Sequence, residues 1–136
     1  PKLSVLIPCF NESRVIVNNA LAVLRNTYPE LEVIIINDGS KDQTFELLKN
    51  TFDLTSGSDH GSFQVYRSGQ FNNLLVIDQK NVGKSRSLNN ALQICSGSLV
   101  STNLCAPSCV ASFSLEAVWL SMVTSAPIAA AIFTPM

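Results

Sequence analysis

Val33-Ile34-Ile35-Ile36-Asn37-Asp38-Gly39-Ser40 is the stretch whose reading sets the architecture. Four β-branched residues in succession leave no polar face, so the run reads as a strand covered on both sides, the condition of a parallel sheet with helices above and below it. The polar turn that follows, Asn37 to Ser40, then falls at a strand's carboxyl end, where open parallel sheets hold their ligands. Working outward, Leu3 to Ile7 is a second apolar run, stopped by Pro8, and Leu74 to Ile77 is a third. Val17, Ala20, Leu21 and Leu24 recur at helical spacing between the first two, and Tyr28-Pro29 closes that helix. Ser40 and Gln43 have capping-box spacing at the head of a second helix with the stripe Phe45, Leu48 and Phe52. A third helix is predicted from about Lys84 to Ser96, with Leu88, Ala91, Leu92 and Cys95 on one face and Gly97 at its end. Ser98 to Leu104 reads as a fourth strand. Asp53 to Gln70, rich in Gly and Ser around His60, reads as a long loop with room for a short strand at Phe63 to Tyr66. The sum is an α/β fold with an open, mainly parallel sheet and helices on both faces.

At 136 residues the chain is one domain's worth, short for a complete enzyme with separate donor and acceptor sites. A net charge of -1 provides no field that would gather nucleic acid or anionic lipid, so no nucleic-acid partner is expected. The four cysteines, Cys9, Cys95, Cys105 and Cys109, lack paired C-x-x-C spacing, and the single His60 adds no cluster. Reduced thiols in a cytoplasmic setting are the better reading than a zinc site. The chain opens at Pro1 without a basic-then-apolar leader, which predicts no secretory signal and a missing true N-terminus.

The sheet rule predicts polar residues where strands end. Pro8 to Glu12 follow the first strand, Asn37 to Ser40 the second, and Asp78 with Asn81-Val82-Gly83-Lys84 the third. Asp38 can accept a hydrogen bond from a base imide N–H, Gly39 lets backbone approach a ligand closely, and Lys84 at a helix start can face a phosphate. Each element also has a plain reading: Asp38-Gly39-Ser40 as a tight turn, Asn11-Glu12 as a helix start, His60 as a solvated side chain.

Order and spacing add what the single signals lack. Leu3 to Glu12, then Tyr28 to Asp42, then Asn81 to Asn89 resemble the family-2 glycosyltransferases over about residues 1 to 104, and look closest to the membrane-associated processive synthases of poly-N-acetylglucosamine, cellulose or hyaluronan. The resemblance implies a Rossmann-like sheet of GT-A type, truncated. It also implies a nucleotide-diphosphate sugar, UDP-linked, transferred with inversion to an acceptor hydroxyl on a glycan or lipid. Carried over residue by residue, Pro8, Asn11 and Glu12 would border the uridine, and Asp38 would bind the uracil edge. Gly83 and Lys84 would lie near the nucleotide, with Lys84 serving the base side or the diphosphate. Asn37 stands where many members have a first aspartate.

The family then places an Asp-x-Asp at the end of the fourth strand to hold Mg²⁺ or Mn²⁺ against the diphosphate, neutralising the leaving group. Here Cys105-Ala106-Pro107 occupies that position. A thiol is a poor ligand for a hard cation and proline offers none, so no cofactor is expected on this chain as it stands, and no catalytic or metal residue is assigned. Charge changes at the same place: from Ser98 to Met136 only Glu116 is charged. The expected division is therefore 1–104 as the nucleotide-sugar-binding part and 105–136 as an apolar tail that does not match the family. Ala117 to Phe133 is apolar but interrupted by Ser121, Thr124, Ser125 and Pro127, marginal against the roughly 20 residues that span a bilayer. A folded end, a membrane segment and an out-of-frame end are the three explanations, with the last favoured. Two functions follow: part of a glycosyltransferase, inactive alone and placed in the cytoplasm or on the cytosolic face of a membrane, or a nonenzymatic nucleotide-sugar-binding or regulatory module. A sheet ending after four strands also predicts poor solubility.

Overall fold

The computed structural model describes residues 1–102 and 132–133. Cys105 to Pro107, Cys109, Glu116 and the apolar run up to residue 131 lie outside the described residues, and so does the proposed boundary at 104. In chain order the elements are β1 (Leu3–Cys9), α1 (Ile16–Leu24), β2 (Leu31–Asp38), α2 (Thr44–Phe52), β3 (Leu54–Asp59), β4 (Phe63–Ser68), β5 (Leu74–Gln79), α3 (Lys84–Ile94), β6 (Leu99–Thr102) and β7 (Ile132–Phe133). The sheet has the order β3-β4-β5-β2-β1-β6-β7. β5, β2, β1 and β6 run parallel, β4 is antiparallel to β5, and β3 is antiparallel to β4.

The chain steps from β1 to β2 to β5 in one direction, and α3 then carries it back across to β6 on the far side of β1. Right-handed crossovers travelling in opposite directions put their helices on opposite faces. The two halves of the core follow that rule. On one face Val5 and Ile7 of β1, with Val33 and Ile35 of β2, pack against Ile16, Ala20 and Val23 of α1 and Leu48 and Phe52 of α2. On the other, Leu6, Ile34, Ile36 and Ile77 pack against Ala91 of α3. Ile34, Ile35 and Ile36 are all 0% exposed, which is why β2 tolerates no polar face. Each such side chain contributes about 1.5–3 kcal/mol by leaving water.

Five expectations are corrected. β1 runs through Pro8 to Cys9 rather than stopping at the proline. Its pairing with β6 ends at Leu6, so the missing proline N–H lies beyond that ladder. In the segment read as a long loop, the short strand expected at Phe63 to Tyr66 is present as β4, but Leu54–Asp59 is a further strand, β3, that pairs with it as a hairpin. Asp53 takes a left-handed conformation (φ +51°) that turns the chain out of α2, Asp59 Oδ1 accepts from Gly61 N at 2.8 Å to close the hairpin turn, and alternating Phe63 and Val65 enter the core. Ser40 does not cap α2; the Asp42 carboxylate accepts from Thr44 N at 3.0 Å instead. Gly97 is not a helix cap, since α3 ends at Ile94. A Cβ at Gly97 would stand 2.7 Å from Ser4 N, so the glycine admits β1 to the start of β6. With β3, β4 and β7 the sheet has seven strands rather than four, and β7 covers the β6 edge.

Candidate functional site

The three polar turns meet at the carboxyl edge of the sheet, joined in two pairs. The first pair ties the turn after β1 to the turn after β2. Asn11 N donates to Ser40 Oγ at 3.0 Å, and Asn11 Oδ1 accepts from Lys41 N at 2.8 Å. Glu12 N donates to Thr44 Oγ1 at 3.1 Å, and Ser13 N to Asp42 Oδ2 at 3.3 Å. The Thr44 hydroxyl also donates to Asp42, and this bond is the main reason that the Asp42 carboxyl lies below its ordinary range. Asn11, at φ +53°, thus shapes the turn with its own side chain. The Glu12 carboxylate has no hydrogen bond among the described residues and stays half-buried at the rim.

The second pair ties the turn after β2 to the start of α3. Asp38, 6% exposed, accepts from Val82 N at 2.9 Å, Gly83 N at 3.1 Å and Gln79 Nε2 at 3.1 Å. A carboxylate from a neighbouring strand thereby satisfies N–H groups at a helix start, where the helix dipole favours negative charge. Gln79 Nε2 also donates to Ser87 Oγ at 3.0 Å, and Gln79 Oε1 accepts from Asn90 Nδ2 at 2.8 Å, which locks α3 to β5. Gly39, at φ +70°, lies so close to the neighbouring turn that a Cβ would stand 2.5 Å from Asn81 N. That close approach is to protein backbone, and Gly39 also lines the cavity between this turn and the hairpin. Lys84 is the first residue of α3, exposed, with no carboxylate partner among the described residues.

β-Strand alternation separates the residues ending β2 and β5. Asp38 and Gln79 follow the parity of Ile36 and Ile77 and lie on the α3 face, whereas Asn37 and Asp78 lie on the α1/α2 face. There Asn37 Nδ2 donates to Asp78 Oδ1 at 2.8 Å. Burial pushes the Asp78 carboxyl above its ordinary range, and the Asn37 bond opposes this only in part. An aspartate at 37 would set two carboxylates side by side, so Asn37 is the residue that Asp78 requires. Beside this pair lies a cavity of about 830 Å³, lined by Gly39 to Lys41, Gly61 to Gln64 of the hairpin and Asp78 to Val82.

The structure therefore brings Asn11 and Glu12 to Ser40 and Thr44, and Gly39, Gly83 and Lys84 to one turn organised by Asp38. It gives Pro8 no polar contact among the described residues. Gln79 and Ser87 were missed by sequence reasoning because neither belongs to a turn; only strand and helix parity, once known, points them at Asp38. Among the described residues no group of three His, Cys, Asp or Glu could hold a metal ion. Among them, too, no helix is long and apolar enough to cross a membrane.

At the opposite edge of the sheet a buried carboxylate has a structural task. Glu32, 7% exposed, accepts from Ser4 Oγ at 2.5 Å, Ser96 N at 2.9 Å and Ser96 Oγ at 2.9 Å. Lys2 Nζ is 3.8 Å away. This network joins β1 and β2 to the turn between α3 and β6.

Comparison with known proteins agrees with this geometry. The family described as Glycosyl transferase family 2 matches residues 4–102. Poly-beta-1,6-N-acetyl-D-glucosamine synthase of Staphylococcus aureus (strain COL) is 33% identical over 92 residues, covering 67% of this chain and 18% of the relative. The synthase of the same description from Staphylococcus epidermidis is 48% identical over 46 residues, 34% of this chain and 11% of the relative. The chain thus spans less than a fifth of the length of these curated relatives. Among solved structures, the mannosyltransferase PcManGT from Pyrobaculum calidifontis, in complex with GDP-Man and Mn²⁺, superposes with a TM-score of 0.58 at 22% identity, covering 75% of this chain and 27% of that one. S. aureus TarS 1-349 in complex with UDP-GlcNAc gives 0.57 at 23% identity, covering 76% and 26%. These likenesses establish the fold, an α/β sheet of GT-A type. With the family match extending from β1 to β6, the chain belongs to glycosyl transferase family 2.

Proposed function

We propose that this chain carries the nucleotide-binding part of a glycosyltransferase that uses a nucleotide-diphosphate sugar, UDP-linked, for inverting transfer to an acceptor hydroxyl in polysaccharide or glycoconjugate synthesis. In that reaction the acceptor oxygen bonds to the anomeric carbon as its bond to the diphosphate breaks. The diphosphate leaves with the electron pair, and the acceptor proton passes to a base. The observation that carries the reading is the convergence of three strand-end turns on one edge, with the start of α3 organised by Asp38. Lys84 and the first N–H groups of α3 would then meet the diphosphate's negative charge. Pro8, Asn11 and Glu12 would border the ribose and base. The described residues gather no metal ligands, so no step is assigned to Mg²⁺ or Mn²⁺ and no residue to catalysis. The acceptor, glycan or lipid, is likewise part of the proposal. A cytoplasmic setting, on the cytosolic side of any membrane involved, is likewise part of the proposal.

Cys105 and Pro107 favour a second reading, a nucleotide-sugar-binding or regulatory module without turnover. Calorimetric titration of UDP and UDP-GlcNAc with and without Mn²⁺, paired with an assay for UDP release, separates the two. Metal-dependent transfer or hydrolysis supports the enzyme, and metal-independent binding without turnover supports the module. Absence of UDP binding in either condition would refute both.

A further inference from the structure

The amino edge of the sheet, remote from the three strand-end turns, carries a concave surface of its own. β2 and β5 run parallel and adjacent, so the turns that lead into them, residues 25–30 and 69–73, lie side by side. Backbone bonds fix both: Leu3 N donates to Glu30 O at 2.8 Å, and Val33 N to Asn73 O at 2.7 Å. Between them is a hollow of about 590 Å³, within the ~300–1,000 Å³ range of ligand pockets. A second hollow of about 380 Å³ shares Lys2, Leu31, Asn72 and Asn73 with it. Tyr28 and Phe71 in the first pack on the α1/α2 core, whereas Leu75 and Ile94 in the second pack on the α3 core. The two therefore form one groove that wraps the edge from face to face.

The lining has a definite chemistry. Asn26, Gln70, Asn72 and Asn73 bring four carboxamides, each with a donor and an acceptor end. Asn26 Oδ1 accepts from Tyr28 N at 3.0 Å, and the other three side chains make no hydrogen bond among the described residues. Two rings stand beside them, already fixed by the fold. The Tyr28 hydroxyl donates to Pro1 O at 2.5 Å, and Phe71 packs edge-on against Phe52 with centroids 5.9 Å apart. Charge cancels: the larger hollow is lined by one cation, Lys2, and one carboxylate, Glu30, and Lys2 Nζ donates to Ser96 Oγ at 2.5 Å. A phosphate finds no net positive charge there, and an apolar ligand would strip water from the amides without replacing it. Paired donors and acceptors beside fixed rings match instead a ring with vicinal hydroxyls at its rim and C–H groups on its faces, which is a pyranose.

We infer that this groove binds a segment of a neutral oligosaccharide: the carboxamides of Gln70, Asn72 and Asn73 hydrogen-bond its hydroxyl groups, and Tyr28 and Phe71 take the C–H faces of its rings. The site goes beyond nucleotide binding. β2 has eight residues, so at ~3.3 Å per residue its two ends are about 23 Å apart. A sugar in the groove is thus too far from the strand-end turns for its hydroxyl to meet a donor bound there. The groove holds a glycan without reacting with it, and does so whether or not a nucleotide is bound.

The test is calorimetric titration of the 136-residue chain with cellotetraose, maltotetraose and tetra-N-acetylchitotetraose, with and without saturating UDP. The wild type is expected to bind at least one of these neutral tetrasaccharides, with the same affinity when UDP is present. The double variant Asn72→Ala/Asn73→Ala should weaken that binding about tenfold or more, since it removes two side-chain hydrogen bonds. It should keep the wild-type UDP affinity and urea midpoint, because neither side chain bonds to the protein. Gln70→Ala, at an exposed position, reads the same surface a second time and should weaken glycan binding several-fold. Failure of all three sugars to bind the wild type overturns the inference, as does binding that the double variant and Gln70→Ala both leave intact. Loss of glycan binding on adding UDP also overturns it, because the sugar would then sit at the strand ends. A chain that binds glycan and no UDP upholds the groove and overturns the nucleotide reading instead.

Discussion

Replacing Gly39 by alanine tests whether the site is held by the contact between the turns after β2 and β5. Two costs add. At φ +70° an L-residue is strained, by about 1–2 kcal/mol, part of which is offset because alanine restricts the unfolded chain. The new Cβ would also stand 2.5 Å from Asn81 N and 3.1 Å from Asn81 Cα, backbone atoms that cannot rotate away. Relieving that overlap means moving one turn, at about 1–3 kcal/mol by analogy with overpacked cores. The sum is about 2–4 kcal/mol, a large share of the ~5–15 kcal/mol that a domain has in hand. Gly61 separates the two costs, since it has φ +82° but nothing within 4 Å of its would-be Cβ. Gly61→Ala should therefore cost about 1 kcal/mol, the conformational part alone. Urea unfolding followed by circular dichroism, with the slope held constant, reads both variants. Displacement of Asn81 should also shift Val82 and Gly83 from Asp38, so Gly39→Ala should weaken UDP binding beyond its effect on stability. Equal destabilisation by the two substitutions would refute the reasoning, because the clash would then contribute nothing.

Glu32→Ala removes the shared acceptor of Ser4 and Ser96 and should cost about 2–4 kcal/mol, read as a lower urea midpoint; Glu32→Gln, which keeps an acceptor, should cost less, and no difference from wild type in either would refute the network's structural role. Asp78 has the opposite sign. Its folded carboxyl lies above the ordinary 3.8 because burial disfavours the charge, so the fold prefers the protonated form. The stability associated with that proton is present below the ordinary value and lost as pH rises through the raised one. Asp78→Asn should therefore melt higher than wild type near pH 7, with the gap closing as pH falls below 3.8. A gap of the same size at both pH values would show that ionisation of Asp78 is not its source.

The family and the parallel core were legible from sequence because both depend on local patterns. A short β-branched run such as Val33 to Ile36, bounded by a polar turn, reads as a strand buried on both faces, and a parallel strand exposes its polar end at one known edge. The hairpin was less legible. Its outer strand β3 is exposed along nearly its whole length, so Leu54 to Asp59 carries no alternation, and Gly57 in the strand with Gly61 in the turn imitates a loop. Partner choice among polar side chains was not legible at all. Asp38 and Asp78 are both acids at strand ends, and only the register of β2 against β5 puts one under α3, accepting from two backbone N–H groups, and the other beside a cavity. By itself, then, the sequence determined which residues would be buried, which edge would be polar and which family the pattern belongs to. Tertiary structure alone decided that Gly39 accommodates Asn81 and that Asp38 holds a helix start. Those contacts span about forty residues, and a hydrogen bond depends on distances of a few tenths of an ångström, which no local periodicity encodes.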